Sequence, residues 1–248
     1  RGGNSLDAAR GEYASFQVVV RSKDEIKGLR AAVTPFVNGD KTFSARLPRF
    51  VGYVPVDRPT QKPSSDRLRP VPADYPDPLL EANSIDVAAN DAQPVWITVR
   101  VPVDATPGTY SATVGLIGQV DGKDAKATQK LTLRVFPATI TKTRLHVTEW
   151  FGMNTAHMKI KPEKNSEEYY ALLRKFARNM AEHRHNVALI SPTGHAQFGV
   201  DANGGLTVDF SEFDRWVSIF VEEGVIGTIE GGHIGWRSGG WTSTFHVE

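Results

Sequence analysis

The chain has 248 residues, 40% apolar and 23% charged, an ordinary globular composition that excludes extended disorder and can bury a sizeable core. The formal net charge is +1 and cysteine is absent, which excludes a broad basic field for nucleic acid, disulfides, thiol catalysis and cysteine-based zinc sites. No apolar run approaches the ~18 residues that a membrane helix needs.

The chain opens on "RGGNSLDAARGEYASFQVVV", without an initiating Met and already inside a domain-like pattern. It reads as a processed or cut piece of a longer protein. Up to Pro137 the pattern is all-β. "YASFQVVVR" (Tyr13–Arg21), "PVWITVRVPV" (Pro94–Val103), "GTYSATVGLIG" (Gly108–Gly118) and "ATQKLTLRVF" (Ala127–Phe136) are rich in Val, Thr and aromatics. Several alternate apolar and polar residues, as half-buried strands do. Thr106-Pro107-Gly108 and Asp121-Gly122-Lys123 supply turns between them, and strands at this spacing predict a β-sandwich over residues 1–137. "RPVPADYPDPLLE" (Arg69–Glu81) carries four prolines. Proline removes backbone donors, so this stretch is an extended surface segment and not a central strand.

After Pro137 the rhythm changes. "LHVTEW" (Leu145–Trp150) is a short strand. Asn165, with Glu168 three residues on, resembles a capping box. Behind it Tyr169, Leu172, Leu173, Phe176 and Met180 recur at helical spacing, and this helix ends near Glu182–His185. "NVALIS" (Asn186–Ser191) is a continuous apolar run suited to a strand covered on both faces. "FGVDANGGLTVDF" (Phe198–Phe210) reads as a hairpin around Asn203-Gly204-Gly205. Ser211 caps a second helix with the stripe Phe213, Trp216, Val217, Phe220 and Val221, and Gly224 sits at its left-handed C-terminus. "VIGTIE" (Val225–Glu230) is a third strand. This order predicts parallel strands joined by crossovers, as in part of a Rossmann-like sheet or the first part of a (β/α)8 TIM-type barrel over 138–248. No Gly-rich phosphate loop follows any strand, so no nucleotide cofactor is called for.

In a barrel the chemistry gathers at the carboxyl ends of the strands. Strand one ends in Glu149-Trp150-Phe151. Strand two ends in Ser191-Pro192-Thr193, with His195 close behind. Strand three ends in Glu230, Gly231, Gly232 and His233, followed by Trp236, Arg237 and Trp241. Glycines let a loop lie close to a ligand, Trp offers a flat face to the C–H side of a sugar ring, and Glu, His and Arg bind hydroxyls or an amide. Each residue also has a plain structural reading. The tryptophans serve as rim packing, Glu230 as the buried ion-pair partner of Arg237, and His233 as a solvated loop residue. Asn186 opens strand two, at the end associated with stability and not chemistry.

His183-Arg184-His185 falls at a helix end, where residues i and i+2 diverge, so it makes no metal site and none is expected. A paired carboxylate is missing. Asp24-Glu25 lies in a β-half turn, and Glu167-Glu168 and Glu222-Glu223 lie at helix ends. Glu230 stands alone at a strand end, while most glycosidases use two acids.

Taken in order, "LDAARGEYASFQVVVRS", "YPDPLLE", "QPVWITVRVPVDATPGTYSATV", "TEWFGMN", "MAEHRHNVALISP" and "FSEFDRWVSIFVEEGVIGTIEGGHIG" resemble glycoside hydrolase family 123. The resemblance implies a β-sandwich followed by a (β/α)8 catalytic barrel. It also implies a β-N-acetylgalactosaminidase that retains configuration by substrate assistance, an exported bacterial location and a glycan partner bearing an N-acetylhexosamine. An adjacent Asp-Glu pair serves that chemistry, and no part of this chain matches it at a strand end. The expectation is therefore a chain cut after about three barrel strands, partnered by the remainder of its own polypeptide. Its catalytic pair lies downstream, with Glu230 the fallback. Trp150, Glu230, His233, Trp236, Arg237 and Trp241 are the expected sugar-binding wall. A non-catalytic carbohydrate-binding or assembly protein, or a glycosidase of different specificity, remains compatible with the same scaffold.

Overall fold

The computed structural model describes residues 4–62, 65–66, 69–141, 144–154, 158–233 and 235–247. The chain divides into two compact units, Arg1–Thr141 and Lys142–Glu248.

The first unit contains β1 (Ser5–Arg10), β2 (Tyr13–Arg21), β3 (Ile26–Val33), β4 (Phe36–Asn38), β5 (Lys41–Phe43), β6 (Arg49–Val56), β7 (Ala73–Leu80), β8 (Ile85–Val87), β9 (Ala92–Arg100), β10 (Gly108–Val120) and β11 (Lys123–Thr139). One sheet runs β1-β11-β10-β3-β8, with β4 added on β10 and β5 on β4. The other runs β2-β9-β6-β7. Strict alternation builds the core between them. Val95, Ile97, Val99 and Val101 point inward from β9 and its end, Tyr110, Ala112, Val114 and Leu116 from β10, and Leu131, Leu133 and Val135 from β11. A row of rings from Phe16 through Phe36 and Phe43 to Tyr110, with centroids 4.6–5.9 Å apart, crosses this core. The Tyr110 hydroxyl donates to the Thr106 carbonyl four residues upstream at 2.8 Å, pinning the predicted turn before β10. At the β10–β11 hairpin Asp121 and Gly122 both take positive φ, the geometry a tight two-residue turn requires. The proline-rich stretch forms the edge strand β7, paired only with β6. An edge is where proline in a sheet is tolerated.

The second unit contains β12 (Thr148–Glu149), α1 (Glu167–Glu182), β13 (Val187–Leu189), α2 (Pro192–His195), β14 (Gln197–Val200), β15 (Leu206–Asp209), α3 (Ser211–Glu222), β16 (Thr228–Glu230), β17 (Gly235–Arg237) and β18 (Phe245–Val247). Strands β12, β13 and β16 pair in parallel in that order, with α1 in one crossover and α3 in the next. Ala188 and Ile190 face the helices, packing with Leu173 and Ala177 of α1 and Trp216, Ile219 and Phe220 of α3. β14 and β15 form the predicted hairpin and β17 and β18 another.

Both helix starts differ from the sequence reading. Ser166, not Asn165, caps α1: its hydroxyl accepts from the Tyr169 amide, while Asn165 takes φ +65° outside the helix. Ser211 is the first residue of α3, not its cap. Its amide and hydroxyl both donate to Asp209 Oδ1, so the acceptor that a helix start needs comes from two residues earlier. The stripes also shift. Tyr170 and Ala177 join the buried face of α1, and Ile219 replaces the exposed Val221 on α3. Gly224 takes φ +84° beyond α3, as read.

Asn186 ties the amino ends of the three parallel strands. Its Oδ1 accepts from the Val147 amide at 2.8 Å and its Nδ2 donates to the Leu145 carbonyl at 2.9 Å. Its own carbonyl accepts from the Gly227 and Thr228 amides. Asn186→Ala removes both side-chain bonds and leaves the Val147 amide without its acceptor, at about 2 kcal/mol. Hydrogen exchange should show faster exchange of the Val147 amide and lowered protection across α1–β16, with the sandwich unit unchanged.

Candidate functional site

The register sets the site. Leu189 lies opposite Glu230, and Thr148 opposite Val187. Strands β12 and β16 flank β13, so their carboxyl ends lie two strand spacings, about 10 Å, apart. Two side chains close that gap. Trp150, just past β12, donates its indole Nε1–H to Glu230 Oε1 at 3.1 Å. Thr148 Oγ1 donates to Glu230 Oε2 at 3.3 Å. His233 stands edge-on to the Trp150 ring, centroids 6.1 Å apart at 87°. Gly232 makes the turn that returns His233 to Trp150. Its φ is +76°, a conformation other residues adopt at a cost. Ser191 packs beside Gly232, and its hydroxyl lies 3.1 Å from Thr193 Oγ1. Three strand ends thus meet at Trp150, Ser191 and Glu230-Gly232-His233.

A carboxylate has about four acceptor positions. Glu230 uses one on each oxygen and keeps further acceptor capacity. Trp150 is 71% exposed, so its ring is open to solvent while its indole N–H is held by Glu230. Thr148 was not singled out from the sequence. It lies two residues before Trp150, on the same strand face, and that period was the available signal.

The remaining predicted wall forms a separate hairpin. Trp236 stacks on His246 with centroids 4.7 Å apart at 25°. Arg237 does not pair with Glu230. Its Nη1 donates to the Ser243 carbonyl at 2.6 Å and its guanidinium lies over Phe245. Trp236 and Trp241 are 51% and 92% exposed.

His195 leaves the strand ends and serves another cluster. Its ring lies tilted against Trp216, centroids 4.5 Å apart at 37°, and its Nδ1 lies 2.9 Å from Glu212 Oε1. Asn165 Nδ2 donates to Glu212 Oε2, and Lys164 pairs with Oε1. The Glu212 side chain is only 9% exposed. Burial opposes its ionisation, but the bonds from His195, Asn165 and Lys164 outweigh burial and hold its carboxyl below the usual range. Burial, and then the Glu212 charge, push the Tyr169 phenol up to about 12. Among the described residues no group of three or more His, Asp or Glu could hold a metal ion, and no helix is long and apolar enough to cross a membrane.

Residues 3–117 match the family profile described as the glycoside hydrolase 123 N-terminal domain. Among solved structures, a family 123 glycoside hydrolase from Clostridium perfringens, described in terms of glycolipid glycan hydrolysis, aligns with a TM-score of 0.68 at 15% identity. The alignment covers 91% of this chain and 42% of that one. The PapD-like domain 7 of human CEP192 aligns at a TM-score of 0.30 and 10% identity, over 55% of this chain and 84% of that one, too low to bear on the fold. No curated protein matches. Residues 3–117 are thus similar to the glycoside hydrolase 123 N-terminal domain, and the chain covers 42% of the Clostridium perfringens enzyme.

Because folding lowers the Glu212 pKa, its contribution to stability is complete above the unfolded carboxyl range, near 4.5, and disappears as pH falls through the lower folded value. Glu212→Gln should therefore destabilise the second unit at pH 7 and remove a component of its acid destabilisation. Melting of both forms between pH 7 and pH 3 checks this. Parallel pH profiles contradict it.

Proposed function

We propose that the protein is a glycoside hydrolase acting on a glycoconjugate, and within that class a retaining β-N-acetylgalactosaminidase that uses substrate assistance. The observation that carries the reading is the Trp150–Glu230–His233 cluster at the carboxyl ends of β12 and β16, in a chain whose residues 3–117 are similar to the family 123 N-terminal domain. On this reading residues 138–248 are the first part of a (β/α)8 barrel behind a sandwich of residues 1–137, and the protein is exported.

The substrate's acetamido oxygen attacks the anomeric carbon as the glycosidic C–O bond breaks. A general acid protonates the departing oxygen, and water then opens the oxazoline with retention. The acid and its partner carboxylate come from the remainder of the polypeptide. Trp150 supplies the ring face for the sugar, and Glu230 accepts its hydroxyls. Both Glu230 oxygens already accept hydrogen bonds, which fixes the carboxyl group's orientation toward the sugar's hydroxyls. His233, Trp236, Arg237 and Trp241 form the outer part of the wall. That same oriented Glu230 also suits a non-catalytic sugar-binding protein, the second reading.

The test is hydrolysis of an aryl β-N-acetylgalactosaminide by this chain and by the full-length product. Activity is expected in the longer protein only, with the matching plain galactoside far slower. Glu230→Gln in the longer protein should lower kcat/KM by roughly 10–100-fold, the loss of a charged hydrogen bond. Activity in the 248-residue chain alone shifts the acid role to Glu230. Sugar binding without hydrolysis by the longer protein supports the second reading.

A further inference from the structure

We propose that the first unit pairs with a second copy of itself along the free edge of β2, antiparallel and centred on Gln17. β2 ends its sheet on one side and β7 on the other. The two edges differ. β7 carries Pro76 and Pro78, which lack the N–H that a further strand needs, so that edge is blunted. β2 has nine residues without proline or lysine, and its register with β9 runs from Tyr13↔Arg100 to Arg21↔Ala92 without a bulge. No feature of β2 blunts its edge.

The bond just before β2 shows which of its backbone groups point outward. The Glu12 carbonyl accepts from the Val101 amide at 2.9 Å, so Glu12 faces the β9 side. In an antiparallel pair that direction alternates. Ala14, Phe16, Val18 and Val20 therefore spend their N–H and C=O on β9, while Tyr13, Ser15, Gln17, Val19 and Arg21 aim theirs away from it. Among the described residues none hydrogen-bonds to that outward backbone row. Ser15, Gln17 and Val19 of the row also line a cleft of about 370 Å³, whose other walls include Leu6 and Leu131 and which no ionisable residue lines.

A row of donors and acceptors that repeats every two residues, about 7 Å, matches another extended polypeptide. The β2 edge of a second copy has that period and the same uncharged lining. Antiparallel pairing about a two-fold axis at Gln17 sets Ser15 opposite Val19 of the second copy and Tyr13 opposite its Arg21. Each outward residue then meets an outward residue, all nine positions are used, and no like charges meet. A parallel arrangement places the two Arg21 side chains together. Because β7 is blunted, this sheet closes at two copies, as an isologous interface does. The proposal does not rest on the hydrolase reading.

The chain has no cysteine, so single cysteines test the register. Opposite Cα atoms of a hydrogen-bonded antiparallel pair lie about 5.5 Å apart, within disulfide range. Gln17→Cys should oxidise to a covalent dimer. Ser15→Cys alone and Val19→Cys alone should not, whereas a mixture of those two variants should cross-link. Sedimentation of the 248-residue chain should give twice the mass of one chain. Gln17→Pro removes only an outward N–H, so it should give a monomer whose sandwich melts as before. A chain that stays monomeric over its soluble concentration range overturns the proposal. So does a Gln17→Pro variant that remains dimeric with a normally melting sandwich, or equal cross-linking of the three single-cysteine variants. Slow amide exchange at Ser15, Gln17 and Val19 in a monomer places a different segment on the edge and also overturns it.

Discussion

The level pairing of three parallel strands is the constraint on which the second unit depends. Asn186 holds it from the amino ends, where one side chain satisfies backbone groups of the preceding segment while its carbonyl takes two amides from the next. A slip of one residue in a strand sends its side chains to the opposite face. Glu230 would then turn toward the helices and Trp150 would lose its acceptor. The geometry at the carboxyl ends is thus set at the amino ends.

The unit places two carboxylates in different surroundings. Glu212 is nearly buried and saturated by His195, Asn165 and Lys164, joining the start of α3 to the loop before α1. An acid in the first helical turn also complements the helix dipole. Glu230 holds two donors and keeps acceptor capacity at an open surface. The first carboxylate is committed to structure, whereas the second is oriented and still available. The same contrast separates the two histidines. His195 lies tilted against Trp216 in the packed layer and His233 stands at the exposed Trp150 ring.

The sandwich is organised by a simpler rule. Alternate residues of β9, of β10 from Tyr110 to Leu116 and of β11 from Leu131 to Val135 enter one core, and the residues between them form the outer faces. Gln93 is the one buried polar side chain among the described residues. It occupies the inward row of β9 and is tolerated because its amide donates to the Val51 and Pro94 carbonyls. The outward residues are free to carry other chemistry, and on β2 and β9 they bring Tyr13 and Arg100 together.

The sequence alone determined four of the sandwich strands, the strand–helix order of the second unit, the β14–β15 hairpin, the helical stripes to within a position and the N-terminal family likeness. All of these follow from local periodicity and turn chemistry, which a linear string records. It also brought Trp150, Glu230 and His233 into consideration through their places at strand ends. Only the tertiary structure decided their partners. Glu230 bonds to Trp150 and Thr148, about eighty positions away, and not to nearby Arg237, because parallel pairing around β13 brings those distant segments together. His195, likewise adjacent to a strand end in sequence, is drawn to Trp216 and Glu212 because α3 packs beside it. Such choices depend on which segments share a face in space, and no spacing along the chain encodes that directly.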